Sequence, residues 1–302
     1  MKKISVVLTT FNGEDTVNKT IQSIISQDGN GIEFFIELII IDDCSTDKTY
    51  SILEQYSCIL LSNDKNSGGP NKGRNKGLEI ASGDFICIVD QDDYWKKDKL
   101  LSILPYLDKA PIITSGYEVV DLNTNSVTIH TQSLIKDYIV YGKNVTFLKR
   151  LTKSLDGQNT YMGSIVFSSK LKNVLFEEHF GMVDFDWLLR LFHNQISLQV
   201  CRPLYERVIS KANLSLNENY RKIDYYYSLL TLESYANSYP KETALAIKKI
   251  HGSRARFYYL IGNMKKARYY FVRSQWNIKT ALYYLTSFIG SKFIKRKFNV
   301  FG

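Results

Sequence analysis

Four continuous apolar segments, Ile4–Leu8, Phe34–Ile41, Cys58–Leu61 and Phe85–Val89, limit the folds open to this chain. They are rich in β-branched and aromatic residues and do not alternate with polar ones, so they read as buried parallel strands rather than half-exposed ones. Helical patterns lie between them. Val17, Ile21, Ile24 and Ile25 share one helical face, and Asp47–Tyr56 follows Ser45-Thr46, which suit an N-cap. Leu78-Glu79-Ile80-Ala81 runs into Ser82-Gly83, where glycine suits a helix stop. The alternation predicts a layered α/β domain that takes ligands at the carboxyl ends of its strands.

The polar clusters fall at those ends. Thr9-Thr10-Phe11-Asn12 follows the first strand and Asp42-Asp43-Cys44-Ser45 the second, and Asp90-Gln91-Asp92-Asp93 follows the fourth. Three carboxylates in four residues at a buried strand end repel one another unless a cation or hydrogen-bond donors compensate. Hard divalent ions take oxygen ligands and join protein carboxylates to substrate phosphates. Capping of a helix from about Trp95 would need only one aspartate. After the third strand comes Asn66-Ser67-Gly68-Gly69-Pro70-Asn71-Lys72-Gly73-Arg74-Asn75. This glycine-rich basic loop allows close backbone approach, and Lys72 or Arg74 could neutralise phosphate.

Five ordered motifs in the first hundred residues resemble those of family 2 glycosyltransferases. They are Ser5–Gly13, Ile39–Asp47, Gly73–Leu78, Ala81–Phe85 and Asp90–Trp95. The resemblance implies a GT-A fold, a Rossmann-like and mostly parallel sheet flanked by helices. It also implies a nucleotide-sugar donor, a divalent metal (Mn²⁺ or Mg²⁺) and inversion at the anomeric carbon. By the same resemblance Thr9 and Phe11 line the base pocket with Asn12 beside them, Asp43 hydrogen-bonds a pyrimidine with Asp42 alongside, and Arg74 helps to hold the nucleotide. Asp90 supplies the first acid of an Asp-x-Asp motif, and Asp92 and Asp93 hold ribose, diphosphate and metal. Which of the three touches the metal directly is not fixed by the motif. A pyrimidine partner for Asp43 favours UDP or dTDP donors.

Inverting transfer needs one base to take the acceptor's proton, from a segment other than the metal acids. Phe180-Gly181-Met182-Val183-Asp184-Phe185-Asp186-Trp187-Leu188-Leu189-Arg190-Leu191 resembles the family's acidic motif. Counting back from Arg190 puts Asp184 at the base position, with Asp186 as the alternative. Helix capping is the competing role for both. Tyr161–Phe167 resembles the strand that faces the acceptor, although Ile165, Val166 and Phe167 also suit an ordinary core strand. Arg202–Ser215 resembles the loop after the last core strand, and Arg207 or Lys211 would serve the diphosphate where relatives carry a histidine at the place of Ile209. His130, His179, His193 and His251 show no ligand spacing.

The net charge of +9 is unevenly spread. Residues 241–302 hold fourteen Lys/Arg against one Glu, a net of +13, which leaves −4 for residues 1–240. The same tail has thirteen aromatic residues, and Ile278, Leu282, Leu285, Ile289 and Phe293 recur at helical spacing before Lys295, Arg296 and Lys297. A basic, aromatic amphipathic helix suits an anionic membrane surface, and a lipid-linked acceptor would explain such contact. Packing on the catalytic domain competes with that reading, and so does pairing of two chains. No recognition motif supports nucleic acid. No apolar run reaches the ~18–20 residues of a spanning helix, and the N-terminus enters the first strand with no signal-peptide core. A cytoplasmic protein, peripheral on the inner face of the membrane, is therefore expected. The four cysteines show no pairing pattern and read as reduced thiols.

The expected organisation is a GT-A catalytic domain over 1–215, with a nucleotide-sugar half (1–100) and an acceptor half (101–215), then a helical region over 216–302. Tyr220–Tyr239 and Ala244–Phe271 read as helices with Pro240 between them. The function expected is transfer of a sugar from a nucleoside-diphosphate sugar to a hydroxyl of a saccharide in surface-polysaccharide synthesis. A non-catalytic nucleotide-sugar or carbohydrate-binding module on the same fold is the alternative. A nucleotidyltransferase is disfavoured because its glycine-rich signature near the first strand is missing.

Overall fold

The computed structural model describes residues 1–122, 124–154, 156–179, 184–209 and 218–290. Two compact units divide it, residues 1–147 with 156–220, and residues 148–155 with 221–302. The domain boundary expected at 215 falls among residues 210–217, outside the described residues.

The first unit is built on a mixed sheet. Strands β1 (Lys2–Thr10), β2 (Phe34–Asp42), β3 (Ile59–Ser62) and β4 (Phe85–Asp90) are parallel, with β1 between β2 and β4. Ile4, Val6, Leu8, Ile40, Cys87 and Val89 are buried, as unbroken apolar runs require. Beyond β4 the sheet continues through β9 (Val166–Ser168), β6 (Ile112–Asp121), β10 (Ser197–Ile209) and β5 (Asp93–Trp95), with β7 (Ser126–His130) on β6 and β8 (Tyr138–Tyr141) on β10. Strand β9 runs antiparallel to both β4 and β6, and this turns the parallel first half into a mixed sheet.

Helices α1 (Val17–Ile25), α2 (Thr49–Leu53), α3 (Asn71–Ile80), α4 (Lys99–Ile103), α5 (Val145–Leu151) and α6 (Phe185–Phe192) accompany the strands. Helix α3 lies close on β1 and β2 because two of its residues are glycines. A Cβ on Gly77 would sit 2.2 Å from Val7 Cγ1, and one on Gly73 would sit 3.0 Å from Thr9 Cγ2.

Several local expectations change. The acids of the fourth strand end do not cap a helix, because Asp93–Trp95 is strand β5 and α4 begins only at Lys99. Helix α2 is shorter than Asp47–Tyr56, and the side chain that accepts from Thr49 N is Asp47 (2.9 Å), since Ser45 is taken by Asp42. Helix α3 ends where Ala81 turns extended, and Gly83 serves close approach, a Cβ there lying 2.6 Å from Ser5 N. Arg202–Ile209 is the second half of a 13-residue strand rather than a loop, with irregular register between Val200 and Tyr205.

The second unit carries α7 (Glu218–Glu233), α8 (Pro240–Leu260), α9 (Met264–Arg273) and α10 (Ile278–Thr286). Its core joins Ala255, Tyr258, Tyr259, Ala267, Phe271 and Tyr283. Pro240 opens α8 at a position where its missing N–H costs nothing. The single helix expected over Ala244–Phe271 is broken in two. Gly262 adopts φ +87°, and Asn263 caps α9 by accepting from Lys266 N (3.2 Å). Among the described residues no helix is long and apolar enough to cross a membrane. All four cysteines are free.

Candidate active site

The carboxyl ends of β1, β2 and β4 are stitched together by side chains. Gln91 accepts from Thr10 Oγ1 (2.6 Å) and Phe11 N (2.8 Å) and donates to Phe11 O (3.2 Å), while its own carbonyl accepts from Thr20 Oγ1 (2.7 Å). Gly13 makes room for it, since a Cβ there would lie 2.5 Å from Gln91 Oε1. Asn12, at φ +46°, accepts from Thr46 N (2.8 Å) and donates its own N–H to Ser45 Oγ (3.0 Å). Asn12 is thus a loop fastener. Thr9 is buried beneath this edge and Phe11 is exposed on it.

The two aspartates after β2 are both buried and both engaged. Asp42 accepts from Ser45 N (3.0 Å) and Ser45 Oγ (2.5 Å). Asp43 accepts from Asn63 Nδ2 (2.5 Å), from Ser67 N (3.0 Å) and from Ser67 Oγ (3.0 Å), which ties the glycine-rich loop to the strand end. Asn63 Oδ1 is buried with no hydrogen-bond partner. A buried acceptor left unpaired is costly in a native fold and marks a group open to a ligand. Asn63 carries no motif of its own and is visible only once β3 lies beside β2.

Arg74, expected to help hold the nucleotide, faces the first acid of the motif. It is almost fully buried in α3, donates to Asn71 Oδ1 (2.9 Å) and pairs with Asp90 Oδ1 (2.6 Å). Its Nη2 is thus engaged by the first acid of the motif, while its buried Nε has no hydrogen-bond partner. Lys72 lies in the first turn of α3, half-buried, with no hydrogen bond or ion pair among the described residues.

Around the acids the electrostatics are strained. Asp92 reaches solvent, yet partial desolvation and the neighbouring Asp90 raise its carboxyl above the ordinary range, and Arg207 only partly offsets them. Asp93, expected with Asp92 as a metal ligand, is the buried member of that pair. Successive strand residues point to opposite faces, and Asp93 turns inward to hydrogen-bond the buried Tyr205. Burial, then Asp90 and Asp92, push its carboxyl well up. Gly163 leaves the space for this contact, a Cβ there lying 2.5 Å from the Tyr205 ring and 3.0 Å from Asp93 Oδ2.

Lys99 lies fully buried beneath. It donates to Gly163 O, its ammonium sits 3.9 Å from the Trp95 ring centroid, and burial lowers it to about 7. Arg207 is opposite Asp93 in the β5–β10 register and donates to Tyr161 Oη (3.0 Å). Tyr205 and Lys99 escape sequence reading, because a buried tyrosine or lysine has no signature until its strand or helix is placed.

Among the described residues no cluster of three or more His, Cys, Asp or Glu forms a closed metal site. The donor set at this edge is of a different kind. Asp92, with Asp90 close enough to raise its carboxyl, suits a hard cation held by one or two carboxylates that takes its remaining ligands from phosphate and water.

The second acidic segment separates its two candidates. Asp186 is engaged by Arg190 through Nε (2.8 Å) and Nη2 (2.5 Å), one helical turn away. Asp184 stands at the N-terminus of α6 and makes no capping hydrogen bond. Neither makes a capping hydrogen bond, and the charge of Asp186 in the first turn still suits the positive end of the helix. Val183 and the preceding Phe180–Met182, like Lys211, lie outside the described residues.

The segment leading to Asp184 is clamped by α3. Asn75 accepts from Phe176 N (2.7 Å) and donates to Phe176 O (2.9 Å) and Glu178 Oε1 (2.8 Å), and Asn71 donates to Glu177 O (2.8 Å). The Phe176 ring lies 5.1 Å from the Arg74 guanidinium and stacks on Trp187 of α6 at 4.4 Å. Trp187 Nε1 donates to Val174 O (2.7 Å). Asp90, Arg74, Phe176 and Trp187 thus form one packed line from the first acid to the helix that begins after Asp184. Ile165, Val166 and Phe167 are buried core, as an ordinary strand predicts. His130 stacks on Tyr117, and Tyr225 lies beside His251.

Residues 5–175 match the family described as Glycosyl transferase family 2. TarS of Staphylococcus aureus, a poly(ribitol-phosphate) beta-N-acetylglucosaminyltransferase, is 38% identical over 184 residues, 57% of this chain and 31% of that protein. TuaG of Bacillus subtilis, named for teichuronic acid biosynthesis, is 38% identical over 109 residues, 34% of this chain and 41% of TuaG. WfaP of Escherichia coli, a UDP-Glc:alpha-D-GlcNAc-diphosphoundecaprenol beta-1,3-glucosyltransferase, is 32% identical over 117 residues, 38% of this chain and 45% of WfaP. The chain thus spans less than half the length of these relatives. The crystal structure of S. aureus TarS 1–349 superposes with a TM-score of 0.60 at 19% identity, over 99% of this chain and 94% of that one. Its complex with UDP-GlcNAc superposes with a TM-score of 0.59 at 18% identity and the same coverage. The sheet with its flanking helices is accordingly the GT-A fold expected above. With more than half of its length matched, the chain belongs to glycosyl transferase family 2.

Proposed function

We propose that the chain is an inverting glycosyltransferase that moves a sugar from a nucleoside-diphosphate sugar, UDP favoured over dTDP, to a hydroxyl of a saccharide in surface-polysaccharide assembly. The single observation that carries this reading is the division of carboxylates between two segments. Asp92 is an outward acid beside Arg207, whereas Asp184, on the far side of the α3 clamp, is the aspartate of its segment that Arg190 leaves unpaired. Inverting displacement needs that pairing of a leaving-group site with a separate base.

In this mechanism Asp184 takes the proton of the acceptor hydroxyl. The hydroxyl oxygen attacks the anomeric carbon from the face opposite the diphosphate, and the bond to the diphosphate oxygen breaks with inversion. Asp92, with Asp90 nearby, would hold Mn²⁺ or Mg²⁺, which supplies charge stabilisation to the departing diphosphate. Arg207 contributes a second positive charge there. Tyr205 acts as a positioning residue that holds Asp93 at the start of β5, next to Asp92. Asn63 Oδ1 is the acceptor offered to a pyrimidine N3–H beside Asp43.

The acceptor is read as lipid-linked, and the protein as peripheral on the cytoplasmic face of the membrane. WfaP, whose name specifies a diphosphoundecaprenol-borne acceptor, and the basic C-terminal region support this.

Calorimetric titration with UDP, dTDP and GDP, each with and without Mn²⁺, tests the donor site. Mn²⁺-dependent binding of one nucleotide that is lost in Asp92→Ala is the expected result. Absence of binding under every condition refutes the reading. Asp184→Asn should keep nucleotide binding while transfer falls by about 10²–10⁴-fold, the usual contribution of a general base. Normal transfer in that variant would leave only nucleotide-sugar binding at this edge and remove Asp184 as the base.

A further inference from the structure

We propose that α10 is a docking helix that lays its outer face on an anionic lipid bilayer. A lipid-carried acceptor, as read above, gives such docking its purpose, and the surface itself is visible in α10. The helix buries Thr280 and Tyr283, and Ser287 just beyond it is buried too. At 3.6 residues per turn, Ile278, Leu282 and Leu285 fall within an arc of about 60° on the opposite side. They are 83%, 54% and 62% exposed, and the turn that follows adds Phe288 and Ile289 at 64% and 70%. Trp276, just before the helix, is also more than half exposed.

Both ends of the helix are fixed, so the stripe is not a frayed terminus. Asn277 caps the start by accepting from Thr280 N (2.8 Å), Arg268 donates to Ser287 O (2.9 Å), and Tyr259 Oη donates to Thr286 Oγ1 (3.0 Å). A contiguous exposed apolar stripe of this kind on a well-packed unit marks an interaction surface.

Charge selects the occupant. From Thr243 to the last residue the sequence has no acid, while Lys265, Lys266, Arg268, Arg273 and Lys279 lie on or beside α9 and α10. A two-fold contact with a second copy would bring the same positive surfaces together. An anionic bilayer neutralises them and accepts the apolar stripe and Trp276 at the headgroup boundary.

The full chain is tested by flotation with phosphatidylglycerol-containing vesicles and with pure phosphatidylcholine vesicles. Binding to the anionic vesicles, weakened by salt and lowered about tenfold in Leu282→Ser/Leu285→Ser, is the expected result. Both leucines are already exposed, so the variant should keep the parent's unfolding midpoint, and UDP affinity should be unchanged. Three outcomes overturn the proposal. The chain stays with buffer in the presence of anionic vesicles, or the double variant floats as well as the parent, or sedimentation shows a dimer that this variant dissociates. A protein that floats but binds no nucleotide keeps the docking surface and fails the donor-site reading, so the two are separable.

Discussion

Replacing Asn75 with alanine should loosen the segment that leads into Asp184 while leaving the nucleotide edge of the sheet untouched. Asn75 is buried on α3 and makes three hydrogen bonds at 2.7–2.9 Å, two of them to the backbone of the buried Phe176. Alanine leaves the Phe176 N–H and C=O without partners, each at about 1–3 kcal/mol. The bond to the exposed Glu178 adds a few tenths of a kcal/mol at most. Because neighbouring Glu177 and Glu178 are exposed and water can reach part of the gap, the lower half of the range applies, about 3 kcal/mol in all. For a unit of this size that lowers the unfolding midpoint by about 6–12 °C.

The functional effect of the same change is distinct from the loss of stability. Freed of α3, Phe176 no longer fixes Trp187, and a base carried on α6 is displaced relative to the acids. A misplacement of about 1 Å can cost about 10²-fold in turnover. Release of nucleoside diphosphate from the sugar donor, measured well below the midpoint, should fall accordingly, with nucleotide affinity retained. A midpoint within about 1 °C of the parent together with normal turnover would refute the clamp.

Other substitutions probe separate parts. Glu37 accepts from Lys3, Ser5 and Ser82 at the end of the sheet away from the site, and these bonds outweigh its burial and hold it at about 2, against 4.5 in an unfolded chain. A carboxyl so lowered stabilises the fold fully above pH 4.5 and loses that contribution as pH falls toward 2. With half-exposed Lys3 screened by water, Glu37→Gln should cost about 2 kcal/mol at pH 7 in urea unfolding, and the difference should close in acid. Gly163→Ala forces a methyl against Tyr205 and Asp93 and should destabilise by about 1–3 kcal/mol while weakening metal-dependent nucleotide binding. Equal binding in that variant would show that Asp92 does not depend on the strand beneath it. Asp186→Asn removes a half-exposed i,i+4 pair, about 0.3–0.5 kcal/mol, and should leave transfer nearly intact where Asp184→Asn lowers it by about 10²–10⁴-fold.

The first half of the fold was legible in the sequence because buried parallel strands are continuous apolar runs, and because ligand-bearing turns must follow their carboxyl ends. Ile4–Leu8 and Phe85–Val89 therefore announced both the sheet and the places where Asp42, Asp43 and Asp90–Asp93 would gather. The acid cluster itself was recognisable as chemistry because like charges do not crowd a strand end without reason.

Only the tertiary structure decided what each of those side chains does. Arg74 and Asp90 are sixteen residues apart in the chain and become an ion pair because β4 and α3 meet. Asp93 turns inward because β5 is a strand, paired to a β10 that extends through residues expected to form a loop. Asn75 carries no motif in sequence, since its contact with Phe176 joins segments 101 residues apart, and the stacking of Phe176 on Trp187 follows only once that contact is made. Periodicity records which face of a residue is buried. It does not record which distant segment covers that face, and here that sets Asp186 against Arg190, Asp93 against Tyr205, and a stripe that packs apart from the one that α10 leaves in water.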